Sequence, residues 1–572
     1  MNCRIGYLAA SLVLTTSAQA DILRVDPSAN PGGDGSSWTR AFDSLTDALA
    51  AASAGDELWI VGGSYVPDTP SGQAATFTLP SGVKMYGGFQ GNESTLAQRG
   101  NPLSPLTVLN GAGVSYHVVS MSNADPATVI DGFRITKGNA DGSGSGSTGR
   151  GGGIYAPNSS PTIRNIQFVQ NHAQSRGGAV YLSGNSASFA TISGCDFESN
   201  SGSNGVAIHA DTQVTVQGCK FDSNAGGTCV VFTGNGVFSV DDSEFTGNTG
   251  TVYGAIFMAL DTGASQSFIS DTTFTNNTGT LTGGIQYILE GTHQITSCQF
   301  YGNHGDARAG AVTTEFTDDA GNTLTIENSA FSGNSGDTSS GAVMFNSSNT
   351  AYVINCSVSG NTSVSGPCAG LMIGDGTVHT RNSILWGNLA GVTLNQDDSI
   401  WFPPQATATA NRCIIQSLGT GSPAPTGANN TSTNPLFVDD DGADNNAGTP
   451  DDNLRLMPGS PAIDAGNNLY VGASVSADVY GVSRFADDTG TPDTGDSGGL
   501  PPVVDIGAAE FQGTTPNDCV ADTNGDGMLT PADFTAWINA FNNNLPECDQ
   551  NGDGSCTPTD FTAWIANFNA GC

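Results

Sequence analysis

Two acidic loops near the end of the chain carry its most specific chemistry. The first runs Asp522-Thr523-Asn524-Gly525-Asp526-Gly527-Met528-Leu529-Thr530-Pro531-Ala532-Asp533. The second runs Asp549-Gln550-Asn551-Gly552-Asp553-Gly554-Ser555-Cys556-Thr557-Pro558-Thr559-Asp560. Ca²⁺ is a hard cation that takes six to eight oxygen ligands, and a twelve-residue loop supplies them from fixed positions. Asp522, Asn524, Asp526 and Asp533 would give side-chain oxygens, Met528 its carbonyl, and Thr530 an oxygen directly or through water. Asp549, Asn551, Asp553 and Asp560, with Ser555 and Thr557, repeat that set. Gly527 and Gly554 permit the sharp turn at the sixth position. Over the 21 residues from Asp522 and from Asp549, 15 pairs are identical. A third acidic stretch holds Asp439-Asp440-Asp441, Asp444, Asp451 and Asp452 on a Gly-bearing loop. It reads either as a further Ca²⁺ site or as a solvated acidic loop.

Each of the paired loops must open a helix. Phe534, Trp537, Ile538 and Phe541 follow the i, i+3, i+4, i+7 spacing, and Phe561, Trp564, Ile565 and Phe568 repeat it. Loop followed by helix, twice, with no helix ahead of each loop, resembles the dockerin family. The terminal Gly571-Cys572 is similar to a GC-type dockerin-like subgroup. The resemblance implies Ca²⁺-dependent docking of residues 519–572 onto a cohesin-like or other surface scaffold protein. At loop positions 10 and 11, where the family usually has hydroxyl residues for partner contact, this chain has Pro531-Ala532 and Pro558-Thr559. Cys519, Cys548, Cys556 and Cys572 allow three pairings. The expected one joins Cys519 to Cys572 and Cys548 to Cys556.

The body ahead of this module is a repeat. An apolar residue, a short polar stretch, Phe, two residues and Asn recur at Phe168/Asn171, Phe197/Asn200, Phe221/Asn224, Phe245/Asn248, Phe274/Asn277, Phe300/Asn303 and Phe331/Asn334. Val358/Asn361 and Leu385/Asn388 are weaker copies. The Asn steps are 29, 24, 24, 29, 26, 31, 27 and 27. Between them sits a Gly-Gly-Ala-apolar unit, as in Gly177-Gly178-Ala179-Val180. A unit this short cannot close a core alone and must stack on its neighbours. The expected fold is all-β, a right-handed parallel β-helix. Each Phe would stack on the next about 4.8 Å away, and each Asn falls where the chain must turn, tolerates left-handed backbone and can bond its amide to the amides above and below. The units resemble those of the polymorphic outer membrane proteins, an autotransporter family of surface adhesins. The chain departs from that family in ending with no run of membrane-barrel strands.

The ends of such a solenoid need sealing. Phe42 to Ala52 reads as an amphipathic capping helix with Phe42, Leu45 and Leu49 on one face. Residues 431–513, with Pro458-Gly459-Ser460-Pro461-Ala462-Ile463-Asp464 and Asp505-Ile506-Gly507-Ala508-Ala509-Glu510, resemble the choice-of-anchor segments that close exported β-helix domains. The expected division is a signal peptide at 1–20, a capped β-helix at 21–430, the closing segment at 431–513, a linker at 514–518 and the dockerin-like module at 519–572. Arg4, the apolar run Ile5 to Leu14 and Ala18-Gln19-Ala20 carry the export reading, so the protein is expected outside the cell or on its surface. After signal removal no apolar run is long enough to span a bilayer.

Composition narrows the partners. Sixteen Lys and Arg stand against 53 Asp and Glu, a net charge of −37. That excludes a basic nucleic-acid surface and disfavours anionic lipid. Cys195, Cys219, Cys298, Cys356 and Cys413 each precede a Phe-equivalent position by two residues and share one column, with Cys195 and Cys219 either bridged or buried as thiols. Asp241-Asp242 reads as a solvated turn, and His172, His209, His293 and His304 as scattered surface or turn residues in no common column. The only lysines are Lys84, Lys137 and Lys220. No acid/base constellation is visible, and no catalytic residue is assigned. Two functions stay open. One is a non-enzymatic, adhesin-like or polysaccharide-binding β-helix tethered by its calcium module. The other is a polysaccharide lyase or glycoside hydrolase of the pectate-lyase-like β-helix superfamily.

Overall fold

The fold comes from a computed structural model. It describes residues 20–570 except 68, 144–145, 185–188, 261–264, 317–321, 392–398, 417, 419–423, 500–501, 513–520, 525–528, 544 and 552–554. The signal-peptide reading at Met1 to Gln19, the 514–518 linker, and Cys519, Asp526, Met528, Asp553 and Cys572 lie outside the described residues. The chain divides into two compact units, one of residues 1–485 and 493–510, the other of 486–492 and 511–572.

The larger unit is a parallel β-solenoid. Three parallel walls repeat coil by coil. The first includes Ile154–Ala156, Val180–Ser183, Ile208–Asp211, Val230–Gly234 and Ile256–Leu260. The second includes Phe189–Ser193, Gln213–Gln217, Val237–Asp241, Gln266–Ser270 and Thr292–Thr296. The third includes Asp196–Glu198, Lys220–Asp222, Glu244–Thr246 and Thr273–Thr275. Ten two-residue strands form a fourth, narrow ladder. Strand alternation turns Ile192, Val216 and Val240 inward, where they are fully buried.

Register in the third wall stacks the repeat residues in file. Phe168, Phe197, Phe221, Phe245, Phe274, Phe300 and Phe331 lie ring on ring at 4.8, 4.7, 4.3, 5.0, 4.8 and 4.6 Å. The asparagines stack beside them. Asn248 donates from its amide to Asn277 Oδ1 at 2.9 Å and to the Phe221 carbonyl at 2.9 Å, while its own Oδ1 accepts from Asn224. The same pattern runs from Asn171 to Asn388. These side chains are fully buried, so each would cost heavily if unpaired; the ladder satisfies them without water.

One detail goes beyond that expectation. The left-handed residue is the one before the ladder Asn: Gln170, Ser199, Ser223, Gly247, Asn276, Gly302 and Gly333 have φ between 53° and 61°. The Asn holds the turn from inside, through its amide. The cysteine column resolves as thiols. Cys195 and Cys219 are buried and unbridged, and burial pushes Cys298, Cys356 and Cys413 up to about 12.

At the start, helix Leu45–Ala51 is capped by Ser44, whose hydroxyl accepts from Asp47 N at 3.1 Å. It buries Leu45, Ala48 and Leu49 in the solenoid core. Phe42 precedes the helix and packs against the same core. The segment after the last coils, including the antiparallel pair Phe437–Asp439 and Asn453–Leu456, lies back on the solenoid. Asn467 and Asn382 exchange two hydrogen bonds of 2.9 Å, and Ala508 N donates to Ser357 Oγ at 3.0 Å. No helix among the described residues is long and apolar enough to cross a membrane.

The smaller unit contains helices Pro531–Asn543 and Pro558–Ala570. Trp537 and Trp564 form its core with Ala521, against partly buried Leu529, Phe534, Phe541 and Phe568. Each tryptophan reaches the entrance of the other loop: Trp537 Nε1 donates to the Cys548 carbonyl at 3.2 Å, and Trp564 Nε1 to the Ala521 carbonyl at 3.1 Å. The Cys548–Cys556 bridge is present.

Candidate functional site

The first wall presents the chain's densest group of ring and charged side chains. Two consecutive coils enter it through the same hexapeptide pattern, Arg150-Gly151-Gly152-Gly153-Ile154-Tyr155 and Arg176-Gly177-Gly178-Ala179-Val180-Tyr181. The glycines are required. Gly151 and Gly177 adopt φ of 64° and 66°, and a Cβ on Gly152 or Gly178 would stand 2.2 Å from a carbonyl of the adjacent coil. After that corner, alternation sends Ile154, Val180 and Ile208 into the core and aims Tyr155, Tyr181 and His209 outward in register.

The outward residues stack. His117 lies on Tyr155 at 4.6 Å, Tyr155 on Tyr181 at 5.7 Å, and Tyr181 on His209 at 5.8 Å. Arg150 sits 5.2 Å over the Tyr181 ring and donates to its hydroxyl at 3.0 Å. That hydroxyl donates to Asp211 Oδ2 at 3.1 Å, which Arg176 also reaches at 3.1 Å. Asp211 Oδ1 accepts from His209 Nε2 at 3.0 Å and from the Thr233 hydroxyl. Beyond His209 the same outward register continues through Val231, Phe257, Gln286, Thr313, Met344, Met372 and Trp401. Phe257, Met344, Met372 and Trp401 keep part of their surface open, as do His117 and Tyr155. Tyr181, His209, Val231, Gln286 and Thr313 are buried, so this stripe along the solenoid axis opens in separate places, at His117 and Tyr155 beside the polar knot, at Phe257, and at Met344, Met372 and Trp401.

The electrostatics of the knot fix its protonation. Burial opposes the charge on Asp211, but hydrogen bonds from His209 and Thr233 and the Arg176 charge outweigh it and hold the carboxyl well below its ordinary range. Burial pushes His209 down more strongly than Asp211 pulls it up, so the imidazole is neutral at pH 7 and donates through Nε2. Burial, then Asp211, pushes the Tyr181 phenol up. Burial also lowers His117. Burial thus favours the uncharged form of both imidazoles and of the phenol. The knot is a set of fixed donors and acceptors rather than an acid/base pair.

The sequence reading missed this stripe. It described the four histidines as surface or turn residues without a shared column. His209 and His293 are instead almost fully buried. His209 belongs to the stripe, and His172 and His304 occupy the same register position of the narrow ladder several coils apart. Asp241 and Asp242 do sit at a turn, with Asp242 at φ 47°. The lysines stand elsewhere: Lys84 meets Glu57 at 3.4 Å and Lys220 meets Glu244 at 3.1 Å. The paired R-G-G-x-apolar-Tyr segments were the available signal.

In the smaller unit, Asp533 and Asp560 fold back into their loops. Asp533 accepts from Asn524 N at 3.3 Å and Thr530 N at 2.7 Å; Asp560 accepts from Gln550 N at 3.0 Å, Asn551 N at 3.2 Å and Thr557 N at 2.7 Å. Both carboxylates are fully buried, so the twelfth position of each loop is drawn back over the first turn. Asp522, Asn524, Thr530, Asp549, Asn551, Ser555 and Thr557 are among the described residues, and residues 525–528 and 552–554 between them are not. In the third acidic stretch, Asp452 is buried and accepts from Ser332 Oγ and from Gly448 N at 2.7 Å, which ties it to the solenoid. Asp439, Asp441, Asp444 and Asp451 remain exposed.

The family described as "Right handed beta helix region" matches residues 135–260 and 204–449, more than half of the chain. No curated protein matches. Similar solved structures include a pectate lyase, 15% identical over 84% of this chain and 96% of that one, TM-score 0.32. Another is the catalytic unit of a thermostable α-1,3-glucanase from Streptomyces thermodiastaticus, 14% identical over 67% and 71%, TM-score 0.36. A third is a polygalacturonase from Erwinia carotovora, 10% identical over 70% and 99%, TM-score 0.30.

Proposed function

The chain belongs to the right-handed β-helix family, and on that scaffold we propose an exported polysaccharide-binding protein whose partly open rings and methionines, spaced along one wall from His117 to Trp401, meet an extended glycan at intervals. The observation that carries this is the stripe itself. A linear polymer needs a linear track, and the C–H faces of a pyranose pack on flat rings such as Tyr155, Phe257 and Trp401. Arg150 and Arg176 supply donors beside the track for sugar oxygens. The test is retention of the full chain on immobilised polysaccharides of different charge and linkage. Retention lost in Tyr155→Ala supports the reading; retention on none of them, or unchanged in that variant, sinks it.

A second reading, cleavage of the bound glycan, draws on the same knot. Two guanidiniums one coil apart could neutralise a uronate carboxylate, as β-elimination requires. The fixed protonation of Tyr181 and His209 weighs against it. Incubation with pectin-type polymers, scored for unsaturated ends, separates the two.

The C-terminal unit we read as the tether. Its loops offer hard oxygen donors in the spacing Ca²⁺ takes, and the donor set of Asp522, Asn524, Asp526, Thr530 and Asp533 with the Met528 carbonyl fits that ion. Asp549, Asn551, Asp553, Ser555, Thr557 and Asp560 fit it equally. Bound Ca²⁺ would neutralise the crowded carboxylates and fix the loops on which the helices rest. The partner would be a cohesin-like or other scaffold protein, captured by the full chain in calcium and released by chelator.

A further inference from the structure

The closing segment leaves a second concave surface, on a different wall from the stripe. Its contacts with the coils run backwards along the axis. Ala465 and Thr494 carbonyls accept from Arg412, Asn467 pairs with Asn382, the Ala477 carbonyl accepts from Asn328 at 3.0 Å, and the Val479 carbonyl accepts from Gln299 at 3.3 Å. Where this run ends, a cleft of about 520 Å³ opens between residues 474–481 and the outer face of strands Gln266–Ser270 and Thr292–Thr296. That volume falls within the roughly 300–1,000 Å³ of small-molecule sites.

The lining differs from the coils just before and just after it. The outward column reads Thr162, Thr191, Thr215, Ser239, Phe268, Gln294, Thr325, Tyr352, His379 and Thr409 in register. A solvent-facing strand position suits Thr or Ser. Phe268 interrupts that series with a half-buried ring in the cleft wall, and Gln294 adds an amide beside it. Asp271 stands at the rim in left-handed backbone at φ 47°, beside the Asp241-Asp242 turn of the coil below. Asp241 already accepts from Ser270 at 2.6 Å. Burial, then the charges of Asp241 and Asp242, raises the Asp271 carboxyl. The rim is therefore anionic and rich in acceptors, above one flat apolar face.

We infer that this cleft is a separate saccharide site for a neutral hexopyranose unit, with Phe268 under the ring, Asp271 and Gln294 on its hydroxyls, and the closing segment at residues 474–481 forming the far wall. A flat ring with acceptors at its edge matches a pyranose, whose C–H face is apolar and whose equatorial hydroxyls are donors. The carboxylates at the rim repel a uronate, which sets this site apart from the arginine-flanked stripe. The closing segment thereby acquires a role in recognition as well as in covering the coils.

Titration of the full chain with cellotetraose, mannotetraose, maltotetraose and tetragalacturonate, followed by calorimetry and ligand-observed NMR, tests it. At least one neutral tetrasaccharide is expected to bind, with affinity falling about tenfold or more in Phe268→Ala, a loss of about 1.4 kcal/mol. Phe268→Leu keeps an apolar side chain but removes the flat face and should weaken binding as well. Asp271→Asn should also weaken it, and Tyr155→Ala should leave it unchanged. Circular dichroism checks that each variant keeps the solenoid. No binding of any neutral tetrasaccharide, or binding indifferent to both Phe268 variants, overturns the inference. Neutral-sugar binding lost in Tyr155→Ala instead assigns it to the stripe and also overturns it.

Discussion

The solenoid and the two-helix unit solve the same problem with opposite means. Both are built from short repeats, 24 to 31 residues in one and 27 in the other, too small to fold singly. The solenoid satisfies its buried polar groups internally. Asn248 bonds to Asn224, Asn277 and the Phe221 carbonyl, and Phe245 lies between Phe221 and Phe274. The small unit has a core of two tryptophans and concentrates carboxylates in the loops that carry it. The contrast separates a body that can be stable by stacking alone from a tail that, under the calcium reading proposed above, would rest on a cation.

The strongest way to break this contrast is to remove the cation. Chelation of the full chain should unfold residues 521–570 completely while the solenoid's strand signal persists, read by far-ultraviolet circular dichroism and the fluorescence of Trp537 and Trp564. Helices that survive chelation would remove the calcium assignment. Next in size, Phe245→Ala should cost the solenoid about 3–5 kcal/mol in urea unfolding, because the gap lies between two fixed rings. The same substitution should leave the small unit's calcium response unchanged.

A third effect is pH. Burial pushes His293 from the ordinary 6.5 down to about 4, and its Nδ1 lies 3.0 Å from Ser267 Oγ inside the solenoid. The unfolded chain therefore takes up a proton that the folded chain refuses. Solenoid stability is full above pH 6.5 and falls as pH drops from 6.5 to 4, by on the order of 3 kcal/mol. His293→Gln should flatten that slope in urea titrations between those pH values; an unchanged slope would assign it to other groups. The smallest effect is on binding. Arg150→Ala should weaken glycan retention by about tenfold or less, since Arg150 flanks the rings rather than forming the track.

The solenoid was largely legible in the sequence because its order is one-dimensional. A Phe and an Asn three residues apart recur with every coil, and stacking turns that recurrence directly into contacts such as Phe197 on Phe221. Which residue takes the left-handed turn was not legible, because Asn suits both that backbone and a buried ladder, and sequence spacing does not separate the two roles. Of the expected pairing, Cys548–Cys556 is present, and Cys519 and Cys572 lie outside the described residues. The candidate site was not legible. Tyr155 and Tyr181 share the R-G-G-x-apolar-Tyr segment, but His209 and His117 come from coils without the Gly-Gly corner, so no single motif links the four. Strand register aligns Tyr155, Tyr181 and His209, whereas His117 precedes the strand whose Ser120 is the register partner of Tyr155 and joins them by its ring alone.

The most direct measurement for the proposed function is hydrogen exchange of the full chain with and without a polysaccharide that it retains. Added protection is expected along the first wall, in peptides covering Ile154–Ala156, Val180–Ser183 and Ile208–Asp211. Protection restricted to residues 521–570, or absent from that wall, would contradict it.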